Sequence, residues 1–173
     1  MRTMKTWPGR ELRAGLDAGQ AVTALYRLHY LPLVRLAALL GPDLARAEEI
    51  VQDAFADLHG EWPALPGTDA ALAYLRRSVV RASRSAASSG AAAGTGVPSS
   101  AVMSALRTLP ARQREVVVLR YFADLPEAEI ATATGMSAAA VRIHAVRAMW
   151  SLQAGLRPAG PADPGHGAAT RGR

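Results

Sequence analysis

Arg142, His144 and Arg147 are the side chains of this sequence best suited to bind a ligand, and they lie within one short stretch. A guanidinium group pairs bidentately with guanine in the major groove and also binds phosphate oxygens. Apolar residues of the same stretch recur at helical spacing, at Val141, Ala145, Met149, Leu152 and Leu156. The basic residues therefore lie on the polar side of an amphipathic helix and predict contacts to nucleic acid. The alternative is a small helical bundle with a solvated basic face.

The stretch before this helix has the spacing needed to position it, Ala131-x3-Gly135-x5-Val141. A small residue lets two helices cross closely at about a right angle. Glycine adopts a left-handed turn without a Cβ penalty, and Ser137 is placed to cap the second helix. Val141 is expected to close the core from that helix. The spacing predicts a helix-turn-helix whose second helix enters a DNA major groove.

The composition also favours a polyanionic partner. The 173 residues carry a formal net charge of +6, and they include no cysteine, which excludes disulfides and thiolate metal sites. Half of the residues are hydrophobic, yet no long apolar run predicts a signal peptide or a transmembrane span. We therefore expect a cytoplasmic protein without membrane insertion.

Helical periodicity recurs along most of the chain and predicts an all-α fold of two small helical domains joined by a flexible linker. Pro32 is expected to bend or interrupt the first helix, and Asp43 to cap the second. The predicted divisions are a mobile N-terminal segment at 1–17, a helical domain at 18–85, the linker at 86–100, the helix-turn-helix domain at 101–157 and a disordered tail at 158–173.

The first domain separates its charges along the chain. Residues 43–69 hold seven acids and one base, and the predicted helix from Leu44 to Trp62 has an acidic side. The next predicted helix, residues 69–85, carries a basic ridge formed by Arg76, Arg77, Arg81 and Arg84. An acidic element between basic ones indicates more than one kind of partner.

Four segments resemble one protein family. LPARQREVVVLRYF (109–122) and the following ADLPEAEIATATGMS resemble the DNA-binding domain of bacterial sigma factors. AEEIVQDAF (47–55) resembles the helix by which those factors grip core RNA polymerase, and AYLRRSVV (73–80) resembles the helix that follows. Their order resembles a small sigma factor of the extracytoplasmic-function (ECF) group. The resemblance implies a non-enzymatic factor without metal or cofactor that binds core RNA polymerase and promoter DNA, with an anti-sigma factor as a further partner.

The resemblance also implies roles for individual residues of the first domain. The polymerase-docking positions are Glu49, Gln52, Asp53 and Phe55, although these acids otherwise predict a solvated face with Phe55 in the core. The positions that capture the separated strand are Trp62 and Tyr74 for stacking and Arg77, Arg81 and Arg84 for DNA. An aromatic ring can stack on an unpaired base while arginines bind phosphates. Members of the family usually continue this helix into a basic run, which is truncated here, so the predicted strand-separating surface carries less positive charge.

In the second domain the resemblance assigns DNA contacts to seven positions. They are Arg112, Arg114, Ser137, Ala140, Arg142, His144 and Arg147. Arg142 and His144 are assigned to base edges or flanking phosphates, and Arg147 to phosphate. The run of alanines at 138–140 offers few hydrogen bonds, so direct readout through polar contacts is expected to be sparse.

Two other classes of DNA-linked protein remain as alternatives. Arg142-Ile143-His144 also resembles a LuxR-type regulator, but that class leaves the AEEIVQDAF helix unexplained. A polymerase-binding protein that has lost promoter opening would fit the truncated basic ridge. An enzyme is disfavoured because the four histidines lack paired ligand spacing and no phosphate-binding glycine loop or nucleophile motif is present.

Overall fold

The computed structural model describes residues 18–41, 43–89 and 101–156, and within these ranges it contains α-helices and one 3₁₀ turn but no strand. The predicted all-α fold is confirmed. The α-helices are α1 (Ala18–Leu40), α2 (Leu44–Glu61), α3 (Thr68–Ser88), α4 (Ala101–Thr108), α5 (Ala111–Tyr121), α6 (Glu127–Thr134) and α7 (Ala138–Leu156), with the 3₁₀ turn at Trp62–Ala64. The predictions for 1–17, 158–173 and most of the linker lie outside the described residues.

Helices α1, α2 and α3 pack against one another to form the first domain. Its core is mostly aliphatic and includes Leu25, Leu33, Val51, Leu58, Leu75 and Val79. Asp43 caps α2 as predicted, because its carboxylate accepts a hydrogen bond of 2.7 Å from the Arg46 amide. The expected interruption at Pro32 does not occur, since α1 runs through it. Buried Leu33 and Leu36 hold the turn that follows the proline against the core.

Helices α4 to α7 form the second domain around Leu106, Leu119, Ile130 and Val141, each at most 2% exposed. The inward side of α7 differs from the predicted stripe: Ala148 is buried, whereas Met149 is 37% exposed. Successive residues of a helix are about 100° apart, so Ala148, seven residues after Val141, shares its direction and Met149 does not. The side chain of Leu156 lies outside the described residues.

The two domains pack against each other through α3 with α6 and through α1 with α5. Two ion pairs cross the boundary, Arg76 to Glu129 at 2.6 Å and Arg84 to Glu115 at 2.6 Å. Helix α3 continues to Ser88, past the predicted start of the linker at 86. The chain is therefore a packed pair of helical domains in this structure.

Candidate nucleic-acid interface

The turn between α6 and α7 has the predicted left-handed geometry. Gly135 adopts φ 70° and ψ 23°, and its amide donates a hydrogen bond of 2.9 Å to the carbonyl oxygen of Ala131. The Met136 amide donates to the same oxygen at 3.2 Å. These bonds end α6 and turn the chain toward α7, because a glycine takes this conformation at little cost.

The start of α7 is also held as predicted. The Ser137 hydroxyl accepts a hydrogen bond of 3.2 Å from the Ala140 amide, and the Ser137 carbonyl accepts one of 3.0 Å from the Val141 amide. Val141 is fully buried. Ser137 therefore caps the helix, and Ala140 beside it presents only a methyl group. The predicted helix-turn-helix is confirmed.

The polar side chains of α7 differ in exposure. Arg142 and Arg147 are exposed, and Nη1 of Arg142 lies 3.5 Å from Oε1 of Glu127. His144 is half-buried, and its Nδ1 atom is buried without a hydrogen-bond partner. The two arginines can therefore reach a duplex directly, whereas His144 faces partly into the domain.

The same helix also presents an exposed apolar surface that was not predicted from the sequence. Ile143, Val146 and Trp150 are 51%, 57% and 72% exposed. Their spacing of three and four residues places them on one side of α7. That spacing was visible in the sequence as a second apolar stripe, opposite the one assigned to the core.

Two predicted phosphate ligands of α5 are partly engaged within the protein. Nη1 of Arg112 donates to the carbonyl oxygen of Thr134 at 2.9 Å and to Oε2 of Glu115 at 3.3 Å. Arg114 is half-buried, and burial lowers the pKa of its guanidinium, while neighbouring Glu115 opposes that change. Arg112 thus holds α5 against the end of α6.

The predicted basic ridge of α3 is divided by the packing of the two domains. Arg77 and Arg81 are exposed, and the Arg77 guanidinium lies 5.9 Å from the ring centroid of half-buried Tyr74. Arg84 instead donates to both carboxylate oxygens of Glu115, at 2.6 and 2.8 Å. A buried carboxylate therefore engages the Arg84 guanidinium in this conformation, and the role of Arg84 as a DNA ligand stays a prediction. Trp62 is half-buried in the 3₁₀ turn.

The predicted docking residues of α2 also divide into two groups. Glu49, Gln52 and Asp53 are exposed, and Glu49 pairs with Arg46 at 2.6 Å. Phe55 is only 6% exposed, and its ring packs edge-on to Tyr26 with 5.1 Å between centroids. The structure corrects the assignment of Phe55 to the docking face: it belongs to the core, as the alternative predicted.

Comparison with known proteins relates this arrangement to a family. Residues 99–152 match the family described as Sigma-70, region 4. The RNA polymerase sigma-E factor of Streptomyces coelicolor is 31% identical over 137 aligned positions, covering 70% of this chain and 77% of that protein. The chain belongs to the sigma-70 family of RNA polymerase sigma factors. Its relatives place it in the ECF group, and this assignment supports the sigma-factor interpretation over the LuxR-type and polymerase-binding alternatives.

Solved structures have the same fold as this sigma factor. CnrH, solved in complex with the cytosolic domain of CnrY, gives a TM-score of 0.65 at 25% identity and covers 79% of this chain and 92% of CnrH. The sigma factor RpoE of Bartonella quintana, solved with the anti-sigma factor NepR, gives 0.62 at 20% identity and covers 78% of this chain and 96% of RpoE. The second likeness concerns the fold alone.

Two further kinds of site are absent from the described part of this sigma factor, residues 18–41, 43–89 and 101–156. None of its helices has the length and apolar character needed to cross a bilayer. Those residues bring together no group of three His, Asp or Glu side chains that could hold a metal ion.

Proposed function

We propose that this sigma factor directs core RNA polymerase to promoters by presenting the exposed side of α2 to the polymerase and the exposed arginines of α7 to duplex DNA. The observation that carries the proposal is the position of Arg142 and Arg147, which are exposed on the second helix of a helix-turn-helix held by Gly135. Such a helix is the element that enters the major groove in proteins of this architecture.

The polymerase contact is assigned to Glu49, Gln52 and Asp53. All three are exposed on α2, while the opposite side of that helix is buried through Ile50, Val51 and Leu58. The division separates a side that maintains the fold from a side available to a partner. Charged and amide groups at such a surface set register and partner choice more than total affinity.

Upstream DNA contacts are assigned to α7 and its neighbours. Arg142 and His144 lie on base edges or flanking phosphates, Arg147 binds phosphate, and Ala140 lets the helix approach closely. Arg112 and Arg114 lie near the backbone, with Arg112 also anchoring α5 through the Thr134 carbonyl. Phosphate contacts of this kind position the helix without reading sequence.

Contacts to the separated strand are assigned to Tyr74, Arg77 and Arg81, with Trp62 in the turn before α3. The aromatic rings would stack on unpaired bases, and the exposed arginines would neutralise the backbone. Arg84 joins this surface only if its bonds to Glu115 are released. A second candidate function, polymerase binding without promoter opening, is favoured by the engagement of Arg76 and Arg84 in ion pairs.

Regulation by an anti-sigma factor is included in the proposal. CnrH was solved with a cytosolic partner domain, and its fold and 25% identity support a comparable partner for this chain. The site of action is the cytoplasm, where the polymerase is found. The chain itself supplies recognition, and the polymerase performs the chemistry.

The test is reconstituted transcription. Purified full-length protein is mixed with core RNA polymerase from its source organism, and the complex is isolated and supplied with a library of genomic promoters. We expect a stable complex, transcripts from a defined subset of promoters and permanganate-reactive thymines at their start sites. A stable complex that opens no duplex promoter would select the second candidate function, and failure to bind core polymerase would reject both.

A further inference from the structure

The outward side of α7 is apolar, and neither the fold nor the contacts assigned so far account for it. Ile143 and Val146 are more than half exposed at 51% and 57%. The opposite side of the helix holds buried Val141, Ala145 and Ala148. A DNA-facing helix that relied on polar readout alone would carry hydrogen-bonding side chains at these two outward positions.

Two cations flank this apolar strip. Arg142 precedes Ile143 and Arg147 follows Val146, and at about 100° per residue the two arginines fall on opposite edges of the strip. Both arginines are exposed. The surface is therefore an apolar centre with a positive charge on each side, which complements a major groove whose base edges lie between two phosphate backbones.

The first turn of α7 permits close approach to such a groove. Residues 138–140 are all alanine, and Ala139 lies one helical turn before Ile143 on the same side. Methyl side chains at the start of the helix leave its backbone free to lie near the base edges. The N-terminal residues of a recognition helix are the ones that contact bases.

We infer that Ile143 and Val146 recognise thymine 5-methyl groups in the major groove. The methyl group of thymine is the apolar feature that base edges present there, and apolar side chains are its natural partners. The inference rests on the proposed function, since it requires α7 to lie in duplex DNA. Charge complementarity from Arg142 and Arg147 favours DNA over a protein as the occupant of this surface.

The experiment pairs changes in the protein with changes in the DNA. The full chain, assembled with core RNA polymerase, selects duplexes from a randomised library, and each thymine of the upstream element in the selected sequence is replaced by uracil, which lacks only the methyl group. Burial of one methyl-sized group changes affinity about fourfold, so we expect a loss of that size at one or two positions.

The variant Ile143→Ala with Val146→Ala is then measured on thymine and uracil duplexes. We expect weaker binding to the thymine duplex and no further loss on the uracil duplex, because the partner of the methyl group has gone. Val146→Thr preserves the side-chain shape and should lose part of the thymine preference. Ser151→Ala, at an exposed position off the strip, should retain it. Circular dichroism of each variant checks that the helices remain.

Three outcomes distinguish the inference from the proposed function. Equal thymine and uracil affinities for the unmutated protein, at every position of the selected element, would overturn the thymine contact and leave the proposed function intact. An unchanged thymine preference in the double alanine variant would also overturn it. Selection of no preferred duplex would reject promoter recognition itself, and with it the inference.

Discussion

Arg84 and Glu115 join the two domains through a bidentate ion pair, with Nε to Oε1 at 2.6 Å and Nη2 to Oε2 at 2.8 Å. Glu115 is 3% exposed, and Arg112 approaches the same carboxylate at 3.3 Å. Both arginines also donate to the Thr134 carbonyl oxygen at the end of α6, at 3.4 and 2.9 Å. The pair therefore connects α3 directly to the support of the helix-turn-helix.

Removal of Arg84 should weaken the packing of the two domains. In Arg84→Ala the buried carboxylate keeps only Arg112, so we expect the free energy of unfolding to fall by about 1–3 kcal/mol. Arg81→Ala removes an exposed arginine from the same helix and should change it by less than about 0.5 kcal/mol. Urea unfolding followed by circular dichroism gives both values. Equal effects of the two variants would show that the ion pair adds nothing to stability.

Gly135→Ala should destabilise the helix-turn-helix through backbone conformation alone. A Cβ at this position meets nothing within 4 Å, but φ is +70°. An alanine held in the left-handed region costs about 1–2 kcal/mol. Gly60→Ala is the matched control, since Gly60 lies within α2 with open space around it and no positive φ, and should stabilise by about 0.5–1 kcal/mol. Thermal unfolding of both variants would contradict this account if their Tm values shifted in the same direction.

His29 should make stability depend on pH. It is 2% exposed, and burial first and the positive charge of Arg76 second lower its pKa from the ordinary value of 6.5. Above that value the histidine is neutral in both states and contributes no pH dependence. As the pH falls below 6.5, the unfolded chain takes up a proton that the folded chain does not, so folded stability decreases.

The decrease should reach at most about 1.4 kcal/mol per pH unit and level off below the folded-state pKa. His29→Gln should lack this loss of stability at low pH, whereas His59→Gln, at an exposed position, should retain it. Urea unfolding at several pH values between 5 and 8 measures the difference. If the free energy of unfolding of His29→Gln and of the unmutated protein changed with pH in parallel, His29 would not be the cause of the pH dependence.

Asp53→Arg should weaken binding to core RNA polymerase with the helical fold retained. The substitution reverses an exposed charge on the proposed docking side of α2. We expect about a tenfold loss of affinity, the effect of roughly 1.4 kcal/mol. Glu61→Arg makes the same charge change about 12 Å further along the helix and should bind nearly normally. Titration of labelled protein with core enzyme measures the affinity of each variant. Unchanged affinity for Asp53→Arg would reject this docking assignment.

Arg77→Ala with Arg81→Ala should leave polymerase binding intact and abolish promoter opening. In the proposed open complex these exposed arginines would neutralise the DNA backbone beside Tyr74, and stacking of an aromatic ring on a base contributes about 1–3 kcal/mol. A promoter with a pre-melted bubble should partly rescue the variant because the unpairing step is already complete. Arg27→Ala with Arg35→Ala removes the same charge from exposed positions of α1 and serves as the control. Permanganate footprinting that shows normal opening of duplex by the α3 variant would contradict the assignment.

Features that depend on a few neighbouring residues were predictable from sequence. The Gly135 turn, the Ser137 cap and the Asp43 cap each involve bonds spanning only three or four residues, so their residue types and spacing determine them. The buried side of α2 likewise lies opposite the acidic side that the sequence predicted for this helix. The outward apolar side of α7 was not predicted, because a different apolar stripe of that helix had been assigned to the core.

The sequence by itself determined the helices, their caps and the helix-turn-helix, because those depend on local backbone preferences and side-chain spacing. The tertiary structure decided which polar side chains are bound by other residues of the protein and which remain available to a partner. Arg84 is a predicted DNA ligand, but in the structure its Nε and Nη2 atoms donate to Glu115, thirty-one residues away in the sequence. Such pairings follow from how separate helices meet, and no periodicity within one helix contains that information.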